Sequence, residues 1–137
     1  MQLTAAPAWV GNILGNSIPA NFVTYWNQVT SENAAKWGAV EASRDNMNWG
    51  MLDTHFNFAQ SMGFPYKFHC LIWGSAPPSW TSSISAADML AEIIEWFQAV
   101  DSRYAPDMVT VVNEPLNAPP HFRNALGGAG STGCYSR

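Results

Sequence analysis

Residues 107–115 read Asp107-Met108-Val109-Thr110-Val111-Val112-Asn113-Glu114-Pro115, and the fold is decided on this stretch. Met108, Val109, Val111 and Val112 make Asp107–Asn113 the clearest strand in the chain, and Pro115 closes it because proline has no donor for a ladder. Immediately upstream, Ser85 is a good N-cap for a helix over Ala86–Tyr104, whose Met89, Ile93, Trp96, Phe97 and Val100 form one long apolar face. Asp88 in its first turn has the sign of charge that suits a helix N-terminus. Further back, Pro65–Trp73 carries Tyr66, Phe68, Cys70 and Ile72 and is closed by Gly74, a second strand. Asp53–Met62 repeats apolar residues at Phe56, Ala59 and Met62 and stops at Gly63, as a helix with a glycine cap does. Gln28–Glu32 reads as a short strand, Asn21–Asn27 as a one-stripe helix (Phe22, Val23, Trp26), and Trp9–Leu14 as the first strand, ending at Gly15-Asn16. Asn33–Trp49 reads as loop, and Pro77-Pro78 excludes regular structure from Ser75–Trp80. After Pro115 the chain is loop through Gly127–Ser131. Strand and helix alternate along the whole length, the pattern of a parallel α/β sheet.

The polar residues fall where such a sheet would use them. Three successive strands end in Glu32-Asn33, in the His69–Trp73 segment and in Asn113-Glu114. In a parallel barrel all C-terminal strand ends open on one face, and active sites are built there. The first strand is not followed by a glycine fingerprint, which disfavours a nucleotide-binding doubly wound sheet.

Composition narrows the partners. Of 137 residues 47% are hydrophobic and 12% charged, enough to build one packed domain and too apolar for intrinsic disorder. The formal charge of −4 leaves no basic stripe for nucleic acid. The longest apolar run, Met108–Val112, is strand-sized, so no membrane span is expected. Two cysteines, Cys70 and Cys134, exclude a disulfide-dense scaffold and a four-cysteine metal centre. Met1–Ala8 has neither the basic start nor the apolar stretch of a signal peptide.

Glu114 is the leading catalytic candidate. A carboxyl lodged at a strand mouth in partial desolvation has its pKa raised and serves as a general acid; an ordinary carboxylate capping the next turn fits the spacing equally. Trp73 and Trp80 flank a proline-rich loop, and Trp37 and Trp49 lie in another. Loop indoles near carboxylates and amides suit stacking on sugar rings, whereas Trp9, Trp26 and Trp96 sit in strand or helix stripes and read as core. His69 lies in an otherwise apolar strand, as a hydrogen-bonded core residue or as a sugar-hydroxyl contact. His55 and His121 are isolated, so no metal site is expected. Lys36, four residues after Glu32, pairs with it helix-fashion or joins Asn33 in presenting polar groups to a hydroxylated ligand. Cys70 faces away from His69 by strand alternation and reads as a small core residue. A Cys70–Cys134 disulfide has no positive support.

Three colinear blocks, Thr30-Ser31-Glu32-Asn33-Ala34-Ala35-Lys36-Trp37, His69-Cys70-Leu71-Ile72-Trp73-Gly74-Ser75 and Val111-Val112-Asn113-Glu114-Pro115-Leu116, resemble successive blocks of glycoside hydrolase family 10. Gly127–Gly133 is similar to the stretch after the fourth strand in bacterial members. The resemblance runs from Trp9 to Gly133. It implies a (β/α)8 TIM-type barrel of which only about the first four β/α units are present, residues 1–137 being the N-terminal half of the catalytic domain. It implies a retaining endo-β-1,4-xylanase, with Glu114 as acid/base, Asn113 on the sugar 2-hydroxyl, and Glu32, Asn33, Lys36, His69 and Trp73 as glycone-side sugar contacts. No cofactor is implied. The partner is xylan or xylo-oligosaccharides, and the location is secreted or periplasmic.

The family's nucleophile glutamate comes from the seventh strand and has no counterpart here. Glu32 matches a sugar-binding position instead, so the chain alone is expected not to hydrolyse xylan. Four units leave two unpaired sheet edges, from which self-association is expected. Two other readings remain: a β-glucanase or mannanase of a related barrel family, against which the Glu32–Trp37 block argues, and a non-catalytic xylo-oligosaccharide-binding protein.

Overall fold

A computed structural model of the protein describes residues 8–124, 126 and 127. Four parallel strands form one sheet in the order β1 (Gly11–Leu14), β2 (Gln28–Ser31), β3 (Tyr66–Trp73), β4 (Met108–Asn113). Between them run α1 (Phe22–Tyr25), α2 (Trp37–Val40), α3 (Gly50–Met62) and α4 (Ala86–Arg103), with short 3-10 turns at Ser79–Ser83 and His121–Arg123. Sequential strands pair with their neighbours through helical crossovers, which is the (β/α) barrel order.

The long elements form for local reasons. The Ser85 hydroxyl accepts the Asp88 N–H at 3.1 Å and donates to the Asp88 carboxylate at 2.8 Å, satisfying an orphan donor of α4. Gly63 ends α3 at φ 66°, a left-handed conformation that a side chain would strain, and its N–H returns to the helix. The helix starts three residues earlier than the pattern suggested: Trp49 is its N-cap, and in the turn before it Asn48 Oδ1 accepts the Gly50 N–H at 3.1 Å. α2 lies inside the stretch expected as loop; the Lys36 carbonyl accepts the Ala39 N–H at 2.9 Å and starts it.

One row of β3 (Tyr66, Phe68, Cys70, Ile72) is buried under α3 and α4, and the alternate row (Lys67, His69, Leu71, Trp73) is half-buried. The Cys70 thiol is pushed up to about 11 by that burial. Cys134 lies outside the described residues.

The core sets Leu14, Val29 and Phe68 of the sheet against Leu52, Ala59, Met89 and Trp96 of the helices. At its centre three indoles stack. Trp96 lies 6.0 Å from Trp37 and 5.7 Å from Trp49, with interplanar angles of 5° and 7°. Arg103 and Asp53 form an ion pair that clasps α4 to α3, and Tyr104 O–H donates to Asp53 at 2.7 Å.

Two sequence expectations change. Trp9 is 55% exposed rather than core, because β1 begins only at Gly11 and leaves the indole outside the packed layers. Trp26 packs half-buried at the core edge, and Trp96 is fully buried. The strand before Glu114 is not buried: β4 is an outer strand, and Val109 and Val111 are exposed at 44% and 50%.

Candidate active site

Because all four strands run one way, their C-terminal ends share a rim, and six of the seven candidates gather on it. Just past β2, the Glu32 N–H donates to the Leu14 carbonyl at 2.9 Å. The next turn closes when Lys36 N–H reaches the Asn33 carbonyl at 3.0 Å, which brings the Lys36 ammonium to Asn33 Oδ1 at 2.7 Å. Of the two arrangements open to Lys36, the one beside Asn33 forms and the Glu32 pair does not, because the turn points Lys36 toward β3. Its ammonium lies 4.6 Å from the centre of the Trp73 ring, a cation–π contact.

Trp73 ends β3 in register with Asn113, the half-buried last residue of β4. Its indole N–H donates to Glu114 Oε2 at 2.8 Å. Asn33, Lys36, Trp73 and Glu114 are thereby tied into one polar line across the ends of three strands. Glu32 stands exposed beside it. His69 sits lower on the same row of β3, paired in register with Thr110. Its Nδ1 is buried without a hydrogen-bond partner among the described residues. Burial, and then the charges of Lys67 and Lys36, hold its pKa below the ordinary histidine value.

Glu114 differs from the expectation of a partly desolvated carboxyl. It is exposed, because it lies one residue beyond the sheet. Its backbone is left-handed at φ 48°, uncommon for a side-chain-bearing residue and a form of strain found at functional sites. Two contacts hold it there: the Trp73 N–H on its carboxylate, and the Ala118 N–H on its carbonyl at 2.9 Å. Gly74 makes the second contact sterically feasible. A Cβ at Gly74 would sit 2.3 Å from the Pro119 carbonyl oxygen and 2.4 Å from that of Ala118, so only glycine lets loop 114–120 lie on the end of β3. The Gly74 N–H donates to the Ala118 carbonyl at 3.1 Å.

Of the four loop tryptophans, Trp73 alone belongs to this rim. Trp37 is buried in the indole stack and donates to Glu41 Oε2 at 2.7 Å. Trp49 stacks on Trp96, and Trp80 meets Trp37 edge-on while donating to the Glu41 carbonyl at 3.0 Å. These loops fold back onto the helices, so their rings face protein. Glu41, Asp45 and Glu92 bring carboxylate oxygens within 4.8 Å of one another. Protein donors already engage two of the three: Trp37 and the Asp45 N–H on Glu41, and Arg44 on Glu92.

Sequence reasoning missed a buried polar chain behind the rim. Ser31 Oγ lies 2.6 Å from Tyr66 Oη and 3.0 Å from His55 Nδ1, bracing the last residue of β2 just before Glu32. Burial pushes the Tyr66 phenol up to about 12 and the His55 imidazole below its ordinary value. These partners are 24 and 35 residues from Ser31, a pairing that local pattern does not reveal.

Known proteins resemble the chain in sequence and in fold. The chain is 39% identical over 114 residues to endo-1,4-β-xylanase B of Cellvibrio japonicus (strain Ueda107), covering 81% of this chain and 19% of that protein. It is 37% identical over 102 residues to endo-1,4-β-xylanase 3 of Hypocrea jecorina (strain QM6a), covering 72% and 29%. A solved structure of a glycosylated family 10 endo-β-1,4-xylanase from Gloeophyllum trabeum superposes with a TM-score of 0.71 at 25% identity, covering 82% of this chain and 40% of that one. The chain thus spans less than a third of the length of these two curated relatives, and its four-stranded parallel sheet is part of a (β/α)8 barrel. The sequence pattern of glycosyl hydrolase family 10 matches residues 4–133, and on that match, with the colinear blocks and the shared fold, the chain belongs to glycosyl hydrolase family 10.

Proposed function

We propose that residues 1–137 are the N-terminal half of a family 10 catalytic domain and supply the acid/base and glycone-side sugar contacts of a retaining endo-β-1,4-xylanase. The observation that carries this reading is the Trp73–Glu114 hydrogen bond at the C-terminal rim of a parallel sheet. With Oε2 held by the indole N–H, Glu114 Oε1 is left to carry the proton. It gives that proton to the glycosidic oxygen as the bond to the anomeric carbon breaks, and later takes one from the attacking water. Asn113 binds the sugar 2-hydroxyl. Glu32, Asn33, Lys36, His69 and Trp73 bind hydroxyls and ring faces on the glycone side.

Retention also needs a nucleophilic carboxylate about 5–5.5 Å from the acid/base. Glu32 belongs to the sugar-binding block, so the nucleophile lies outside these 137 residues and the chain alone binds xylo-oligosaccharides without cleaving them. The family resemblance supports a secreted or periplasmic location, and no helix among the described residues is long and apolar enough to cross a membrane. The exposed Ile13 of β1 and Val109 and Val111 of β4 support self-association of the isolated chain through its outer strands.

Calorimetric titration of the 137-residue chain with xylotetraose tests this. Saturable binding abolished by Trp73→Ala, without release of reducing sugar, is expected. No binding sinks the sugar-site reading; xylan cleavage that disappears in Glu114→Ala sinks the claim of an external nucleophile.

A further inference from the structure

Three fully buried polar side chains from three elements meet beneath the rim: Ser31 ends β2, Tyr66 begins β3 and His55 lies within α3. Ser31 Oγ is the middle member, 2.6 Å from Tyr66 Oη and 3.0 Å from His55 Nδ1. Counting hydrogens fixes the direction of this chain. Each hydroxyl carries one hydrogen, and a neutral imidazole carries one on Nδ1 or on Nε2. With it on Nε2, Tyr66 donates to Ser31 and Ser31 donates to His55 Nδ1, so both hydroxyl hydrogens are used. With it on Nδ1, one hydroxyl hydrogen finds no acceptor among the three groups, a costly loss in a core. The chain therefore holds His55 as the Nε2–H tautomer. Nε2 makes no full hydrogen bond among the described residues, and the carbonyl acting on it is that of Gly15, just past β1.

Apolar side chains would fill this space with no hydrogen bonds to satisfy. What the polar chain adds is one allowed geometry, because any shift of a satisfied buried network breaks its bonds. That geometry is delivered to Glu32. Its backbone follows Ser31 directly, and its N–H donates to the Leu14 carbonyl at 2.9 Å. Its carboxylate stands against the end of β1: a Cβ on Gly15 would lie 3.4 Å from Oε2. The His55 ring thus acts on both strand ends between which that carboxylate is set. We propose that Ser31, His55 and Tyr66 are positioning residues that fix Glu32 and the Asn33–Lys36 turn for sugar from beneath, without touching the ligand. The proposal rests on the reading of the rim as a xylan site.

The test combines two readouts on the 137-residue chain: amide hydrogen exchange without ligand, and calorimetric titration with xylotetraose. Tyr66→Phe and Ser31→Ala each break the chain with little change of shape, and thermal melts report whether they fold. Both should speed exchange of the Glu32 and Lys36 N–H groups about fivefold relative to the amides of α4, the weight of one net hydrogen bond. Xylotetraose affinity should fall about threefold in each, and by much less than the product in the double variant, because the chain acts as a unit. Tyr104→Phe is the control. It removes a hydroxyl that donates to Asp53 at 2.7 Å, so Tm should fall while rim exchange and affinity hold. A lower Tm with unchanged rim exchange or unchanged affinity in Tyr66→Phe makes the trio merely structural and overturns the proposal. Equal damage to the rim from Tyr104→Phe overturns it too. If Ser31→Ala does not fold, Tyr66→Phe decides alone. Should rim exchange rise in Tyr66→Phe while the parent chain binds no xylotetraose, the sugar reading of the rim fails and the positioning of Glu32 stands. Unchanged exchange and no binding refute both.

Discussion

Gly74→Ala should loosen loop 114–120, which carries Glu114, from the sheet. The new methyl group would meet the Pro119 carbonyl oxygen at 2.3 Å, the Ala118 oxygen at 2.4 Å and the Pro119 carbonyl carbon at 2.5 Å. All three are backbone atoms, so no rotamer change relieves the clash and loop 114–120 must move. Overpacking of this kind costs about 1–3 kcal/mol. Losing the Gly74–Ala118 hydrogen bond adds about 1 kcal/mol, and the stiffer unfolded chain returns about 0.4–1 kcal/mol. A net loss of about 1–3 kcal/mol is a large part of a typical domain stability of about 5–15 kcal/mol, and corresponds to a Tm drop of about 4–12 °C. The same displacement carries Glu114 away from Trp73, because the Ala118 N–H holds the Glu114 carbonyl. Xylotetraose affinity should therefore fall together with Tm. Gly63→Ala is the control. Its Cβ meets nothing within 4 Å, so only the left-handed φ of 66° costs stability, about 1–2 kcal/mol, with binding unchanged. Melts by circular dichroism and parallel calorimetric titrations read both quantities. A Gly74→Ala protein that melts within about 1 °C of the parent and binds equally well would refute the reasoning, as would equal damage to binding from Gly63→Ala.

Two pH effects follow from the buried and paired groups. Burial favours neutral His55, so its folded pKa lies below the ordinary 6.5; its contribution to stability is complete above pH 6.5 and declines as pH falls below that value. His69 shifts in the same direction, so His55→Leu should reduce, not remove, the loss of stability on going below pH 6.5 in urea titrations; an unchanged slope contradicts the assignment. Asp53 is held below its ordinary 3.8 first by Arg103 and also by Tyr104, against the opposing cost of burial. Its stabilising effect is present above pH 3.8 and disappears as pH falls through the lower folded value, so Asp53→Asn should flatten the acid limb of stability below pH 4, whereas an unaltered limb would mean the clasp carries no weight.

The legible features were those whose causes are local. Ser85 and Asp88 cap α4 within one turn, Gly63 stops α3 by its own backbone freedom, and the alternation of Tyr66, Phe68, Cys70 and Ile72 is the burial row of β3. The rim residues were legible because they sit at strand ends in colinear blocks. What escaped depends on distant partners. A tryptophan in a loop reads as solvent-facing unless one knows that Trp96 lies beneath Trp37 and Trp49. One local signal was available: Trp37 and Glu41 are four apart, the spacing of a helical hydrogen bond, and α2 forms there. The spacing alone leaves Lys36 between Glu32 and Asn33, and the Asn33 turn and the Trp73 ring decide for the second. The Gly74 contact with Pro119 spans 45 residues and has no sequence signature beyond a glycine after a strand.

The indole stack makes three positions share one fate. Trp37, Trp49 and Trp96 come from a short helix, a cap and a long helix, yet Trp96 covers one face of each of the others. Removing the middle ring uncovers both neighbours, so a second loss costs less than it would have alone, and substitutions at these sites are epistatic rather than additive. Drift in these segments is thereby confined to joint changes that rebuild the whole layer. Trp73, which lies outside the stack and is held by Lys36 and Glu114, is free of that constraint, so the rim can diversify without disturbing the ring layer.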